Sequence, residues 1–115
     1  MPPAIAAYLS LAIAIIFEVI ATALLFKTEQ FTRLIPTILV AILYGTSFYF
    51  LSLSLKVIPV GIAYAIWSGI GIVCIALIGL VFFKQSLDLP AVFGMGLIIA
   101  GVLVINLLSK SVTHG

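Results

Sequence analysis

The sequence predicts an all-α membrane protein of four transmembrane helices joined by short loops, and three observations carry that prediction. Hydrophobic residues make up 65% of the 115-residue chain and charged residues only 7%, against roughly a quarter charged in an ordinary soluble domain. The apolar residues fall into four long stretches, each with the ~20 residues that a helix needs to cross ~30 Å of hydrocarbon. None shows the alternation of period two that marks a membrane β-barrel, which leaves helices as the spanning structure whose backbone groups are satisfied internally. A chain of this length forms one domain at most, and its apolar surface is too large to hide inside a small water-soluble globule.

The first span covers residues 4–26. The preceding Met-Pro-Pro-Ala carries no basic residue and the apolar run outlasts a signal sequence, so the start reads as mature protein rather than a cleaved leader. The second span, residues 34–55, follows a connector bearing Lys27 and Arg33 and has Pro36 in its first turn, where a missing N–H costs nothing. The third, residues 57–83, is separated from the second by Lys56 alone and has Pro59 near its start. Gly69 and Gly71 lie two residues apart inside it, just after Trp67. Gly pairs are recognised sites of helix kinks, which makes this pair a candidate hinge, although glycine is also commoner in membrane helices generally.

The fourth span, residues 89–108, begins with Asp88 placed to cap it and Pro90 in its first turn. Gly94 and Gly101 stand seven apart on one stripe, and Gly96 with Ala100 forms a small-xxx-small pair. Such residues let helices approach closely in lipid. The pattern fits dimerisation through a second copy and fits packing inside one chain equally well. The connectors are so short that successive helices run antiparallel, with both termini on one side. Lys27, Arg33 and Lys84 on one side oppose Lys56, Lys110 and the terminal amine on the other, so the usual excess of cytoplasmic positive charge vanishes. The tie is compatible with identical chains inserting in both directions and pairing head to tail, and with a coincidence of small numbers.

Several function classes are excluded. A formal net charge of +2 offers no polybasic surface for nucleic acid. The single Cys74 has no second cysteine to pair with and reads as a packing residue. No soluble portion remains for enzyme chemistry, and no metal or cofactor is expected.

One residue breaks the apolar pattern. Glu18 stands near the middle of "LAIAIIFEVIATALLF", where a carboxylate costs at least ~2.5–3.5 kcal/mol and by default faces a cavity and marks a substrate or ion path. No Lys, Arg or His lies within a span to pair with it. Its charge is relieved by a proton or by a bound cation; the structural alternative is an acid held permanently protonated against Thr22 or a backbone carbonyl. Leu11, Ala14, Ile15, Ala21 and Thr22 share its helix face at spacings of three, four and seven, a mostly small set that would line a pocket beside the acid. Tyr64 and Trp67 are three apart in the third span, and Tyr44 and Phe48 four apart in the second. Aromatic faces around an unpaired carboxylate suit a lipophilic cation, since cation–π attraction reaches ~2 kcal/mol or more when desolvated.

The motifs "FEVIAT", "FTRLIP", "PVGIAYAIWSGIGIV" and "LDLPAVFGMGLIIAGVLVINLLS" together resemble those of the small multidrug resistance family, and the resemblance covers essentially the whole chain. It implies an antiparallel, dual-topology homodimer in the bacterial inner membrane that exchanges protons for hydrophobic cationic compounds at paired glutamates. By that resemblance Glu18 is the shared acid, Tyr44, Tyr64 and Trp67 the binding aromatics, and Gly94 and Gly101 the dimerising glycines. The guanidinium-exporting branch of the family typically has Trp three residues after the acid, a Met-like residue in place of Tyr44, and Lys near the end of the fourth span. This chain has Ala21, Tyr44 and Asn106 there, as the branch exporting quaternary ammonium drugs would. A small dual-topology ion channel and a non-transporting membrane subunit are the competing classes.

Overall fold

The fold is taken from a computed structural model that describes residues 2–110. Four helices account for nearly all of it: α1 (Pro3–Leu24), α2 (Leu34–Ser54), α3 (Val60–Phe82) and α4 (Leu89–Leu108). Each is long and apolar enough to cross a membrane. Apart from Glu18, none of the four contains a charged residue.

The helix starts follow local chemistry. Pro3 and Pro90 occupy first-turn positions of α1 and α4, and Asp88 Oδ1 accepts from the Ala91 N–H at 3.0 Å to cap α4, as its sequence position predicts. The third helix begins at Val60 rather than at residue 57, because the extended backbone of Pro59 forms its N-cap. Lys56 lies in the preceding turn, where the Ile58 N–H donates to the carbonyl of Ser54, the last residue of α2.

The α1–α2 connection departs most from the apolar pattern. After α1 the chain tightens into a 3₁₀ turn, Leu25–Thr28, and then Glu29, Gln30 and Phe31 adopt φ of 48°, 59° and 65°. Left-handed backbone costs a side-chain-bearing residue roughly 1–2 kcal/mol. Buried Thr28 supports the turn. Its hydroxyl donates to the Leu25 carbonyl at 2.8 Å, and its own carbonyl accepts from the N–H groups of Thr32 and Arg33.

The core lies between α1 and α3. Ala7, Leu11, Ile15 and Val19 of α1, four apart, meet Ile58, Ala63 and Ile66. In lipid such contacts hold by close packing and by hydrogen bonds between helices rather than by the hydrophobic effect. The buried Ser47 hydroxyl donates to the Ala14 carbonyl at 2.7 Å and ties α2 to α1. The fourth helix lies against α3, and none of its residues is buried. The radius of gyration is 15.6 Å, against about 13 Å for a compact domain of this length. The single chain is an open bundle.

Candidate functional site

The site is built where α1 and α3 run side by side. Glu18 faces a groove of about 520 Å³ whose other walls include Thr22 from α1, Tyr64, Trp67 and Gly71 from α3, and Met95 from α4. On α3 the wall residues Tyr64, Ser68, Gly71, Ile72 and Ile75 repeat at helical spacing, so one stripe supplies most of the lining.

Glu18 is hydrogen-bonded within its own helix, its Oε1 accepting from the Thr22 hydroxyl at 2.8 Å. Thr22 Oγ1 also lies 2.7 Å from the Tyr44 hydroxyl. A threonine has one hydroxyl hydrogen; with that hydrogen given to Glu18, Tyr44 is the donor to Thr22. The carboxylate is thus joined through Thr22 to an aromatic residue on α2. Its other oxygen, Oε2, would stand 3.2 Å from a Cβ at Gly71. Glycine is the residue that lets α3 pass this close to the acid.

An aromatic rim completes the site. The rings of Tyr64 and Trp67 meet edge to face at 5.6 Å, Phe48 meets Trp67 in the same way at 6.2 Å, and Tyr44 stacks on Phe48 at 6.2 Å. Tyr64 and Phe48 remain more than half exposed. The indole N–H of Trp67 is buried with no hydrogen-bond partner among the described residues, in contrast to most buried polar groups. The arrangement presents one carboxylate, a hydroxyl chain and ring faces to a half-open space, and it can hold a proton or an apolar cation.

The residues singled out in the sequence fall in different parts of the molecule. Glu18, Thr22, Tyr64 and Trp67 line the groove, with Tyr44 and Phe48 joined to it through Thr22 and Trp67. Leu11 and Ile15 belong to the α1–α3 core, and Ala14 and Ala21 are fully buried. The helix face drawn around Glu18 is therefore chiefly the packing face, with the acid at its edge. Gly69 and Gly71 lie within an unbroken helix, each at a close contact: a Cβ at Gly69 would come 2.8 Å from Val102 and 3.1 Å from Ile98 of α4. Gly94 and Gly101 have open space where a side chain would be. Ser68 and Met95 were not anticipated. Ser68 was legible as the residue four after Tyr64, whereas Met95 depends on how α4 lies against α3.

Comparison with known proteins bears on this constellation. A family profile described as Small Multidrug Resistance protein matches residues 6–98. The chain belongs to the Small Multidrug Resistance family. Multidrug transporter EmrE of Escherichia coli strain K12 is 56% identical over 107 residues, covering 93% of this chain and 97% of that protein. Quaternary ammonium compound-resistance protein QacF of Klebsiella aerogenes and its counterpart QacE of Escherichia coli are each 55% identical over the same coverage. With its four spanning helices, this member of the Small Multidrug Resistance family is a multi-pass protein of the bacterial inner membrane.

Proposed function

We propose that the protein is a proton-coupled antiporter that exports lipophilic, often aromatic, cations such as quaternary ammonium compounds. The observation that carries this reading is Glu18, the one charged residue in four helices, opening into a groove rimmed by Tyr64 and Trp67. The relatives named as quaternary ammonium compound-resistance proteins and as a multidrug transporter support it.

The mechanism is competition for one acid. A carboxylate in a low-dielectric site is stabilised by neutralisation, and a proton and a cation each supply it by occupying the same oxygens. Protons moving inward then displace the cation on the far side. Two copies in opposite orientations, paired through the Gly94–Gly101 stripe of α4, would enclose the groove and bring two Glu18 side chains into it. Exchange of two differently bent subunits around this midplane site would alternate its access, with Gly69 and Gly71 as the bending segment.

Two features weigh against the competing readings. Guanidinium export fits poorly with Ala21, Tyr44 and Asn106 at the branch-distinguishing positions. A channel needs a continuous polar path, but the hydroxyls of Thr37, Thr46, Ser52 and Ser54 and the amide of Asn106 bond to backbone carbonyls three or four residues earlier.

Adding tetraphenylphosphonium to unbuffered, detergent-purified protein should release protons, and Glu18→Gln protein should neither release them nor bind the cation. Proton release by the Glu18→Gln protein would overturn the assignment. A larger response to guanidinium than to tetraphenylphosphonium would move the protein to the other branch.

A further inference from the structure

The space beside Glu18 does not end at Thr22. A second cavity of about 420 Å³ adjoins it, and Thr22 and Ile75 line both. Glu18, Thr22 and Phe26 are spaced by four, so they form one stripe that climbs about 12 Å from the acid to the end of the first span. Ile78 and Phe83 flank the cavity from the α3 side.

Its outer wall is an aromatic pair. The rings of Phe26 and Phe83 meet edge to face, with centroids 5.3 Å apart and planes at 82°, and both side chains are substantially exposed. Lys27 and Lys84 follow these rings directly in sequence, which places the pair where the chain leaves the apolar layer. The cavity's remaining polar side chain is Gln85. A Cβ at Gly79 would lie 2.5 Å from Gln85 Oε1, so the amide lies directly against the bare backbone of α3 at that position.

We propose that this cavity is a vestibule that holds an aromatic cation on its way to or from Glu18, with Phe26 and Phe83 as its door. The proposal rests on the reading of Glu18 as the cation site. The chemistry of the lining argues for this occupant. An aromatic ring face attracts a cation, the amide and hydroxyl oxygens of Gln85 and Thr22 can turn lone pairs toward one, and no Lys or Arg lines the cavity. Its volume falls in the range that accommodates drug-sized ligands. A lipid tail would use the apolar walls alone, and nothing about it would call for Gln85 or for continuity with a carboxylate.

The test separates approach from final binding. In stopped-flow measurements on purified protein, the Phe26→Leu/Phe83→Leu double variant should change both the association and the dissociation rate constants for tetraphenylphosphonium several-fold, with a smaller change in their ratio. Independently, Cys74 is the only cysteine of the chain. In a Cys74→Ser background, maleimide labelling of Gln85→Cys should slow several-fold in the presence of tetraphenylphosphonium. Rate constants within twofold of the parent, or labelling that the cation leaves unchanged, would overturn the vestibule and leave the Glu18 reading intact. Failure of that reading is seen separately, as wild-type affinity in the Glu18→Gln chain.

Discussion

Glu18 and Gly71 face each other across the α1–α3 contact, and the acid's surroundings are set as much by the missing side chain as by those present. A methyl group at residue 71 would stand 3.2 Å from Oε2, so the carboxylate would have to shift by a few tenths of an ångström and strain its bond to Thr22. Because hydrogen bonds to charged groups contribute about 1.5–3 kcal/mol, partial loss predicts roughly tenfold weaker tetraphenylphosphonium binding in Gly71→Ala. Equilibrium binding in detergent checks it. A purely mechanical hinge at Gly71 would instead slow transport and leave that equilibrium alone. Glu18 was legible in the sequence because a lone charge in an apolar run needs only hydropathy to be seen. Its contact with Gly71 was not, because it depends on the rotation of two helices about their own axes, which residue spacing within each helix does not encode. The same gap explains Ala14 and Ala21, which are fully buried and whose small size serves helix contact.

Among the elements, α3 carries opposite duties on two of its glycines. Gly71 admits the acid of α1, while Gly69 admits Val102 and Ile98 of α4. Gly69→Ala therefore overpacks the α3–α4 contact and should destabilise the protein by about 1–3 kcal/mol, seen as a lower thermal unfolding midpoint in detergent. An unchanged midpoint would mean that α4 is free to withdraw. Helix identities, the Asp88 cap and the first-turn prolines were readable beforehand, since each rests on local chemistry. The turn at Glu29, Gln30 and Phe31 was not: left-handed backbone is ordinarily announced by glycine or asparagine, and here buried Thr28 holds it through hydrogen bonds invisible in composition.

At the scale of the molecule, an open bundle with a fourth helix that has no buried residue is a surface in want of a second one. Open space at Gly94 and Gly101 means that a Cβ there meets no described atom of its own chain within 4 Å. Gly94→Leu with Gly101→Leu should leave the single chain folded yet shift it from dimer to monomer in sedimentation, with loss of tetraphenylphosphonium binding. A variant that stays dimeric would remove these glycines from the interface. If α4 finds its cover only in another copy, the protein's competence is governed by mass action in the plane of the bilayer. Diluted into excess lipid, the same chains would bind less cation each, so resistance would rise more steeply than in proportion to the number of copies that a cell makes.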